Sequence, residues 1–256
     1  MTDSIWEIPV SAPKIRLTEA HIWRIPLDEV AGVDAHHANL STDEQTRARR
    51  FHSRQHALRY TVAHGMLRRI LSTYTGVSAR ALTFARSEFG KPYLSQVEET
   101  DSRYVHFNLS HSADIALVAV SVSGNVGVDV EFWRDNVRHL EVAERFFSVA
   151  ERQALRALGG NVYNVTRGFF SGWSRKEAYL KASGLGISRG LDHFDVSLEP
   201  TAPASILADR RDTQAVTRWE MANVDVGAGY SAAIVATAPL SVVRLYDASL
   251  NDTSSV

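Results

Sequence analysis

The sequence predicts an α+β protein in which two similar halves each place helices on a small antiparallel sheet. The first observation is the order of periodicities: apolar residues at helical spacing are followed by strand-length apolar runs, and this order occurs twice along the 256 residues. The second is that residues 114–120 and 230–236 are apolar strand segments of similar sequence. Duplication of one α+β unit explains both observations, and a chance likeness between two short apolar strands is the alternative.

The regular structure of the first half, residues 1–124, starts with helices. Ser41 and Glu44 form a capping-box pattern that begins a helical region reaching Gly76, with a break near Ser53. Apolar side chains recur in this region at four-residue intervals, which predicts a stripe that faces the core. They are Leu58, Val62, Met66, Ile70 and Tyr74.

Strands complete the first half. Their apolar pattern predicts them at residues 81–85, 104–109 and 114–122. The Ser-Gly-Asn sequence at residues 123–125 is typical of a turn. We therefore expect a β-hairpin between the third strand and a further strand at residues 126–132.

The second half, residues 125–248, repeats the order of helices before strands. Gly184 and Gly186 are expected to end its last helix. The predicted helices cover residues 139–147, 149–158 and 164–183, and the predicted strands cover 194–198, 217–224, 230–237 and 242–247. The polar tail at residues 249–256 is expected to be frayed.

Composition argues against several classes of function. A formal net charge of -1 gives no general attraction to nucleic acid or to a membrane surface, and the longest apolar runs are too short to span a bilayer. The absence of cysteine excludes disulfides, thiolate metal sites and a cysteine nucleophile. Residues 1–16 lack a basic segment followed by an apolar one, so we expect no signal peptide and a cytoplasmic location.

One predicted helix carries an acid and a base on the same face. Trp173, Glu177 and Lys181 follow one another at four-residue spacing, so their side chains lie along one side of the helix. Such a face can offer a carboxylate to a metal ion and an ammonium group to a phosphate. The alternative is an ordinary Glu–Lys surface pair, which this spacing also produces.

Two further carboxylates lie in the predicted strand at residues 126–132. Asp129 and Glu131 are separated by one residue, so both project from one face of the strand, opposite the buried valines. Paired carboxylates can hold Mg²⁺, and Glu177 would add a third oxygen ligand. Acids on the wet side of a hairpin are the alternative.

Three groups of residues in the first half are candidates for binding an anion. Arginines are frequent between residues 47 and 69, although a solvated basic helix face is the alternative for most of them. Residues 89–92 read as a loop in which a glycine admits a ligand and a lysine can reach an anion. Residues 108–112, Asn-Leu-Ser-His-Ser, bring an imidazole and two hydroxyls to a strand end, where plain surface polarity is the alternative.

In their order along the chain, these motifs resemble those of the Sfp-type 4′-phosphopantetheinyl transferases. The resemblance covers residues 41–230 and rests on the segments 47–51, 89–92, 108–112, 127–131 and 173–181. It implies a pseudo-dimer of two similar α/β halves with the site between them. Residues 1–124 would bind the adenosine side of coenzyme A, and residues 125–248 would carry the metal and catalytic residues. Because one chain holds both halves, the resemblance implies a monomer.

The resemblance also implies roles for individual residues. Asp129, Glu131 and Glu177 would hold Mg²⁺, and catalysis would depend on Asp129, Glu177 and Lys181. Coenzyme A would be bound as co-substrate by Arg47, Arg86, Phe89, Gly90, Lys91, Asn108, Leu109, Ser110, His111 and Lys181. Glu44 stands where some members have a second basic residue, so we expect a weaker contact to the 3′-phosphate at that end.

The implied reaction transfers 4′-phosphopantetheine from coenzyme A to a serine of an apo acyl or peptidyl carrier protein and releases adenosine 3′,5′-bisphosphate. Glu177, or a water that it orients, is our hypothesis for the base that takes the serine proton. A carrier-binding protein without catalysis is the alternative on the same fold, and a Mg²⁺-dependent phosphohydrolase is a more distant one. The residues identify neither the carrier nor a preference for Mg²⁺ over Mn²⁺.

Overall fold

A computed structural model describes residues 5–28, 32–98, 101, 104–134, 137–159, 161–186 and 190–248. The first elements are β1 (Glu19–Pro26), α1 (Val33–Asn39), α2 (Thr42–Arg49), α3 (Arg54–Thr75), β2 (Phe84–Arg86), β3 (Pro92–Leu94), β4 (His106–Ser112) and β5 (Ile115–Ser121). The later elements are β6 (Val126–Phe132), α4 (His139–Phe146), α5 (Val149–Ala157), α6 (Val162–Ser183), β7 (Phe194–Val196), β8 (Ile206–Asp209), α7 (Ala215–Arg218), β9 (Trp219–Asn223), β10 (Tyr230–Thr237) and β11 (Val242–Asp247). No helix within these ranges is long and apolar enough to cross a membrane.

The two main sheets repeat one strand order, which confirms the predicted α+β class with two similar halves. The first sheet contains β1–β5–β4 and the second is β6–β10–β9, all paired antiparallel. In each, the earliest strand lies beside the latest, and a helix of 22 residues, α3 or α6, precedes the hairpin. β11 departs from this repeat because it pairs parallel with β1 and so completes the first sheet. The division at residues 124 and 125 stays a prediction.

The start signals of the helices operate as predicted. The Ser41 hydroxyl accepts the Glu44 amide, and the Glu44 carboxylate accepts the Ser41 amide, which completes the capping box. The break near Ser53 is also present, because α2 ends at Arg49 and Ser53 caps a new helix. Local side-chain chemistry therefore sets these boundaries.

The predicted hairpin between β5 and β6 is wrong. The chain does turn at residues 123–125, but β5 is already paired on both sides, with β1 and β4, and offers no free edge. β6 pairs instead with β10, more than a hundred residues later. Turn residues indicate that a chain bends, but they do not name the partner of the next strand. β1, α1, β8 and α7 were not predicted, and the strand predicted at residues 217–224 begins within α7.

Hydrophobic clusters separate the layers of the molecule. One lies between α3 and the first sheet, and another lies between α6 and the second sheet. A third lies between the two sheets and contains Val126, Val128 and Val130 from β6. Because side chains alternate along a strand, Asp129 and Glu131 must point away from this apolar cluster.

The close contact between α6 and β6 depends on Gly127. A Cβ atom at this position would lie 2.2 Å from the carbonyl oxygen of Ala178 and 2.3 Å from the amide nitrogen of Ala182. Both atoms belong to the helix backbone, so they cannot move aside as a flexible side chain would. Glycine thus lets α6 lie against the strand, and this contact brings Glu177 and Lys181 beside Asp129.

Candidate active site

Asp129 and Lys181 form the centre of the site. The buried Asp129 accepts hydrogen bonds at Oδ1 from Lys181 Nζ at 2.6 Å and from the Ser110 hydroxyl at 2.9 Å. Glu177, only 8% exposed, has no ion-pair partner among the described residues. The alternative of a Glu177–Lys181 surface pair is therefore wrong, since Lys181 pairs across to the strand.

The carboxyl groups at this site hold their protons more tightly than usual. Burial raises the pKa of Asp129, although Lys181 and Ser110 act against the rise. Burial, followed by the charge of Asp129, raises the pKa of Glu177 to about 6 and that of Glu131 to about 7. Negative charges therefore gather at this site, and the single ammonium group of Lys181 does not fully compensate them.

The chemistry of these side chains fits a hard cation, although the ligand set is not assembled as it stands. Asp129 Oδ2 is buried and has no hydrogen-bond partner. Carboxylate oxygens are the ligands that Mg²⁺ prefers, and a cation would satisfy this atom. Within the described ranges, however, no three His, Asp or Glu side chains converge closely enough to hold a metal ion. The ligand set of Asp129, Glu131 and Glu177 stays a prediction.

The raised pKa values predict how stability depends on pH when divalent cations are removed. Both Glu131 and Glu177 have folded-state pKa values above their ordinary 4.5, so the folded state binds more protons than the unfolded state. Their contribution to the free energy of unfolding is therefore fully present below pH 4.5 and is lost as the pH rises through about 6 and 7. Chemical denaturation in EDTA should show this decline, and it should be smaller when both residues are changed to Gln. Equal slopes for the two proteins would contradict the prediction.

Other side chains of α6 hold the helix in place. Trp173 packs against Phe146, Phe147 and Phe169, so it is a packing residue. Lys176 is fully buried, and its ammonium group donates to Glu151 Oε1 at 2.6 Å and to a β7 carbonyl at 2.7 Å. Lys176 was not among the residues for which the sequence predicted a role. The available signal was its place three residues after Trp173, on the apolar face of the helix.

Polar side chains of β4 contact the neighbouring strand β6. The Asn108 side-chain oxygen accepts the amide of Val128 at 3.0 Å, and the Ser110 hydroxyl lies 3.4 Å from the amide of Val130. The side chains between and beyond them, Leu109 and His111, line a cleft on the other side of the strand. Asn108 and Ser110 thus have protein partners, and their proposed contact with coenzyme A stays a prediction.

A cleft beside the carboxylates brings together several residues predicted from separate motifs. A cavity of about 560 Å³ is lined by Arg47, His111 and Glu131 among others. An adjoining cavity of about 440 Å³ shares Arg47 and adds Arg86. Burial, followed by the nearby Lys181 ammonium, lowers the pKa of His111, so its ring is neutral near pH 7.

The arginines of the first half divide into two kinds. Arg59 and Arg68 form ion pairs, with Asp28 at 2.7 Å and with Glu44 at 2.6 Å. The remaining ones on α2 and at the start of α3 are exposed, as expected for a solvated basic face; they are Arg47, Arg49, Arg50 and Arg54. Glu44 is an acid paired with Arg68, so it adds no positive charge to the cleft. Its hydrogen-bond partners lower its pKa to about 2 although burial acts in the opposite direction.

The loop at residues 89–92 lies against the C-terminal end of α6. Phe89, Gly90 and Lys91 line a cavity of about 210 Å³ together with Glu177 and Lys181. The Lys91 ammonium donates to the carbonyl oxygens of Ala182 at 2.9 Å and Val126 at 3.1 Å. Burial lowers its pKa to about 8. Lys91 therefore connects this loop to β6 and to the C-terminal end of α6.

Arg86 shapes the same loop from within. Its guanidinium donates to the carbonyl oxygen of Gly90 at 2.9 Å, and Gly90 has a φ of 86°. This left-handed backbone conformation favours glycine and leaves the loop backbone open toward the cavity. Binding of coenzyme A by Arg86, Phe89 and Gly90 stays a prediction.

Comparison with known proteins gives matches over both halves. A family described as the 4′-phosphopantetheinyl transferase superfamily matches residues 125–235, and one described as 4′-phosphopantetheinyl transferase, N-terminal, matches residues 30–123. The 4′-phosphopantetheinyl transferase HetI of Nostoc sp. is 39% identical over 73% of this chain and 78% of its own length. A putative 4′-phosphopantetheinyl transferase of Synechocystis sp. is 31% identical over 81% of this chain and 80% of its own length. The 4′-phosphopantetheinyl transferase Sfp of Bacillus subtilis is 30% identical over 78% of this chain and 83% of its own length.

Proposed function

Because the chain belongs to the 4′-phosphopantetheinyl transferase superfamily, we propose that it transfers 4′-phosphopantetheine from coenzyme A to a serine of an apo carrier protein. The single observation that carries the proposal is the meeting of β6 and α6. There Asp129 and Lys181 are in contact, and the buried Glu177 lies close enough for the Asp129 charge to raise its pKa. This group adjoins a cleft large enough for a nucleotide-bearing ligand.

Binding of coenzyme A would use both ends of the cleft. Arg47, Arg86 and His111 would contact the adenosine 3′-phosphate and base, while Lys181 would contact the pyrophosphate. Asp129, Glu131 and Glu177 would hold Mg²⁺, which when bound supplies positive charge against the pyrophosphate oxygens. The unpaired Asp129 Oδ2 supports this assignment.

The transfer step needs a nucleophile, a base and a stabilised leaving group. The serine oxygen of the carrier attacks the β-phosphorus, and the bond from this phosphorus to the bridging oxygen breaks. The charge that develops on the departing adenosine 3′,5′-bisphosphate would be stabilised by the Lys181 ammonium. Glu177 would accept the serine proton, either directly or through a water that it orients.

A carrier-binding protein without catalysis is less well supported. The contact surface of a pure binder has no need of three buried or half-buried carboxylates whose pKa values are raised by burial and, for Glu131 and Glu177, also by the charge of Asp129. A phosphohydrolase would also use a metal and a base, so these carboxylates do not distinguish hydrolysis from transfer. The products of the reaction therefore have to distinguish a transferase from a binding protein and from a phosphohydrolase.

The decisive experiment incubates the protein with an apo carrier protein, coenzyme A and Mg²⁺. We expect the carrier to gain the mass of phosphopantetheine while adenosine 3′,5′-bisphosphate appears in equal amount. Reactions without coenzyme A, with EDTA, or with a carrier whose acceptor serine is Ala should give neither product. Binding of the carrier without a mass gain would favour the binding protein, and loss of phosphate from coenzyme A without a carrier would favour the hydrolase.

The remaining parts of the proposal concern the state of the protein in the cell. We propose a monomer, because one chain supplies both β6 with α6 and the first-half cleft residues. A cytoplasmic location, with fatty-acid, polyketide or peptide carriers as substrates, completes the proposal.

A further inference from the structure

β4 and β6 run side by side and are joined by side chains at three alternate positions of β4; we call this set of contacts the seam. The seam consists of the contacts from Asn108, Ser110 and Ser112 of β4 to the amides of alternate β6 residues, at 3.0, 3.4 and 3.0 Å. Alternation along β4 directs all three side chains to the same neighbour. The third contact joins the Ser112 hydroxyl to the Phe132 amide, and Ser112 is not among the residues predicted to bind coenzyme A or the metal.

Ser112 makes a second contact that reaches the site. Its hydroxyl lies 3.3 Å from Glu131 Oε2, while the same oxygen accepts the Phe132 amide at 3.0 Å. One hydroxyl can accept one bond and donate its single proton in another, so both contacts are compatible. Ser110 repeats this arrangement two residues earlier, where it accepts from Val130 and donates to Asp129.

The two carboxylates differ in how much their orientation depends on the serine that contacts them. Asp129 is also held by Lys181 at 2.6 Å, so its orientation does not depend on Ser110 alone. Glu131 has only one further charged partner among the described residues, an Arg134 guanidinium 3.7 Å away, and this arginine side chain is 58% exposed. An exposed ion pair at this distance orients a carboxylate weakly. Ser112 is buried and fixed by the β6 backbone, so it is the better-defined support.

We propose that Ser112 is a positioning residue that orients the Glu131 carboxylate toward a divalent cation. This inference rests on the proposed function, in which Glu131 is a cation ligand. Hydrogen bonds to a ligating carboxylate restrict its orientation, and their loss typically lowers metal affinity by about 10-fold to 100-fold. The seam thus has two roles: it joins the two sheets and orients the carboxylates that lie between them.

The test measures Mn²⁺ binding directly, by the loss of the free Mn²⁺ signal in electron paramagnetic resonance. We expect Ser112→Ala to weaken Mn²⁺ affinity by about tenfold. Ser112→Thr should retain near-normal affinity, whereas Ser112→Val, which has the shape of Thr without its hydroxyl, should not. Ser121→Ala is the matched control, because Ser121 is also buried but its hydroxyl contacts, among the described residues, only Ser123 in the turn after β5.

A double-mutant cycle separates positioning from a general effect on the fold. If Ser112 acts through Glu131, Ser112→Ala should have no further effect on Mn²⁺ affinity in a Glu131→Gln protein. The same loss in both backgrounds, or equal affinities for the Thr and Val variants, would overturn the proposal. Phosphopantetheine transfer by the unchanged protein is assayed in parallel. If the unchanged protein transfers no phosphopantetheine, the proposed function is contradicted. If it transfers normally and the Ser112→Ala protein binds Mn²⁺ with unchanged affinity, only the inference about Ser112 is contradicted.

Discussion

Replacing Glu177 with Gln is expected to lower the rate of phosphopantetheine transfer by about 100-fold to 10,000-fold while coenzyme A binding is largely kept. Gln preserves the shape of the side chain but cannot accept the serine proton. The fold should not suffer, because the change removes a buried carboxylate whose charged form is disfavoured by burial and by the charge of Asp129. Single-turnover transfer rates and calorimetric titration with coenzyme A measure the two quantities separately.

Glu98→Gln is the control for this change, because Glu98 is exposed. It should leave both the transfer rate and coenzyme A binding unchanged. Near-normal turnover by Glu177→Gln would remove Glu177 from the catalytic assignment. Loss of coenzyme A binding in parallel with the rate would instead make Glu177 a binding residue.

Replacing Lys176 with Met is expected to lower the free energy of unfolding by about 3–5 kcal/mol. Lys176 and Glu151 are 0% and 2% exposed, and their charged atoms are 2.6 Å apart. Without the ammonium group, the Glu151 carboxylate would remain buried and uncompensated. That carboxylate also accepts the amides of Ser148 and Val196, so the start of α5 and strand β7 should loosen together. Urea denaturation provides the measurement.

A second substitution distinguishes an unpaired charge from a lost contact. Glu151→Gln in the Lys176→Met protein removes the buried charge and keeps an oxygen for one of the two amides, so it should restore part of the stability. Lys14→Met, at an exposed position, should have almost no effect. A cost below about 1 kcal/mol for Lys176→Met would place this pair among ordinary surface ion pairs.

Local patterns in the sequence predicted the longer helices and the orientation of the side chains along β6. The capping box at Ser41 and Glu44 and the alternation of valine with acid along β6 depend on residues within one or two turns or strand periods. The spacing of Trp173, Glu177 and Lys181 likewise assigned one helix face correctly. Such features are visible because the interacting positions are close in the chain.

The order of motifs predicted the family, and the comparisons bear this out. Five short segments, each weak evidence alone, occur in the order found in phosphopantetheinyl transferases. Chemistry needs particular residue types at particular spacings, so a reaction can leave a sequence signature even where the fold is hard to read. What the motifs could not supply was the partner of each side chain.

The sequence by itself thus determined the class of fold, the approximate bounds of the longer helices and the candidate residues, since these follow from local periodicity and residue type. Only the tertiary structure decided that Lys181 pairs with Asp129 rather than Glu177, that Lys176 is buried against Glu151, and that β6 leaves β5 for β10. These contacts join residues from 25 to more than a hundred positions apart. Their formation depends on which strand edges remain free and how closely α6 can approach β6, and neither quantity is written in a local pattern.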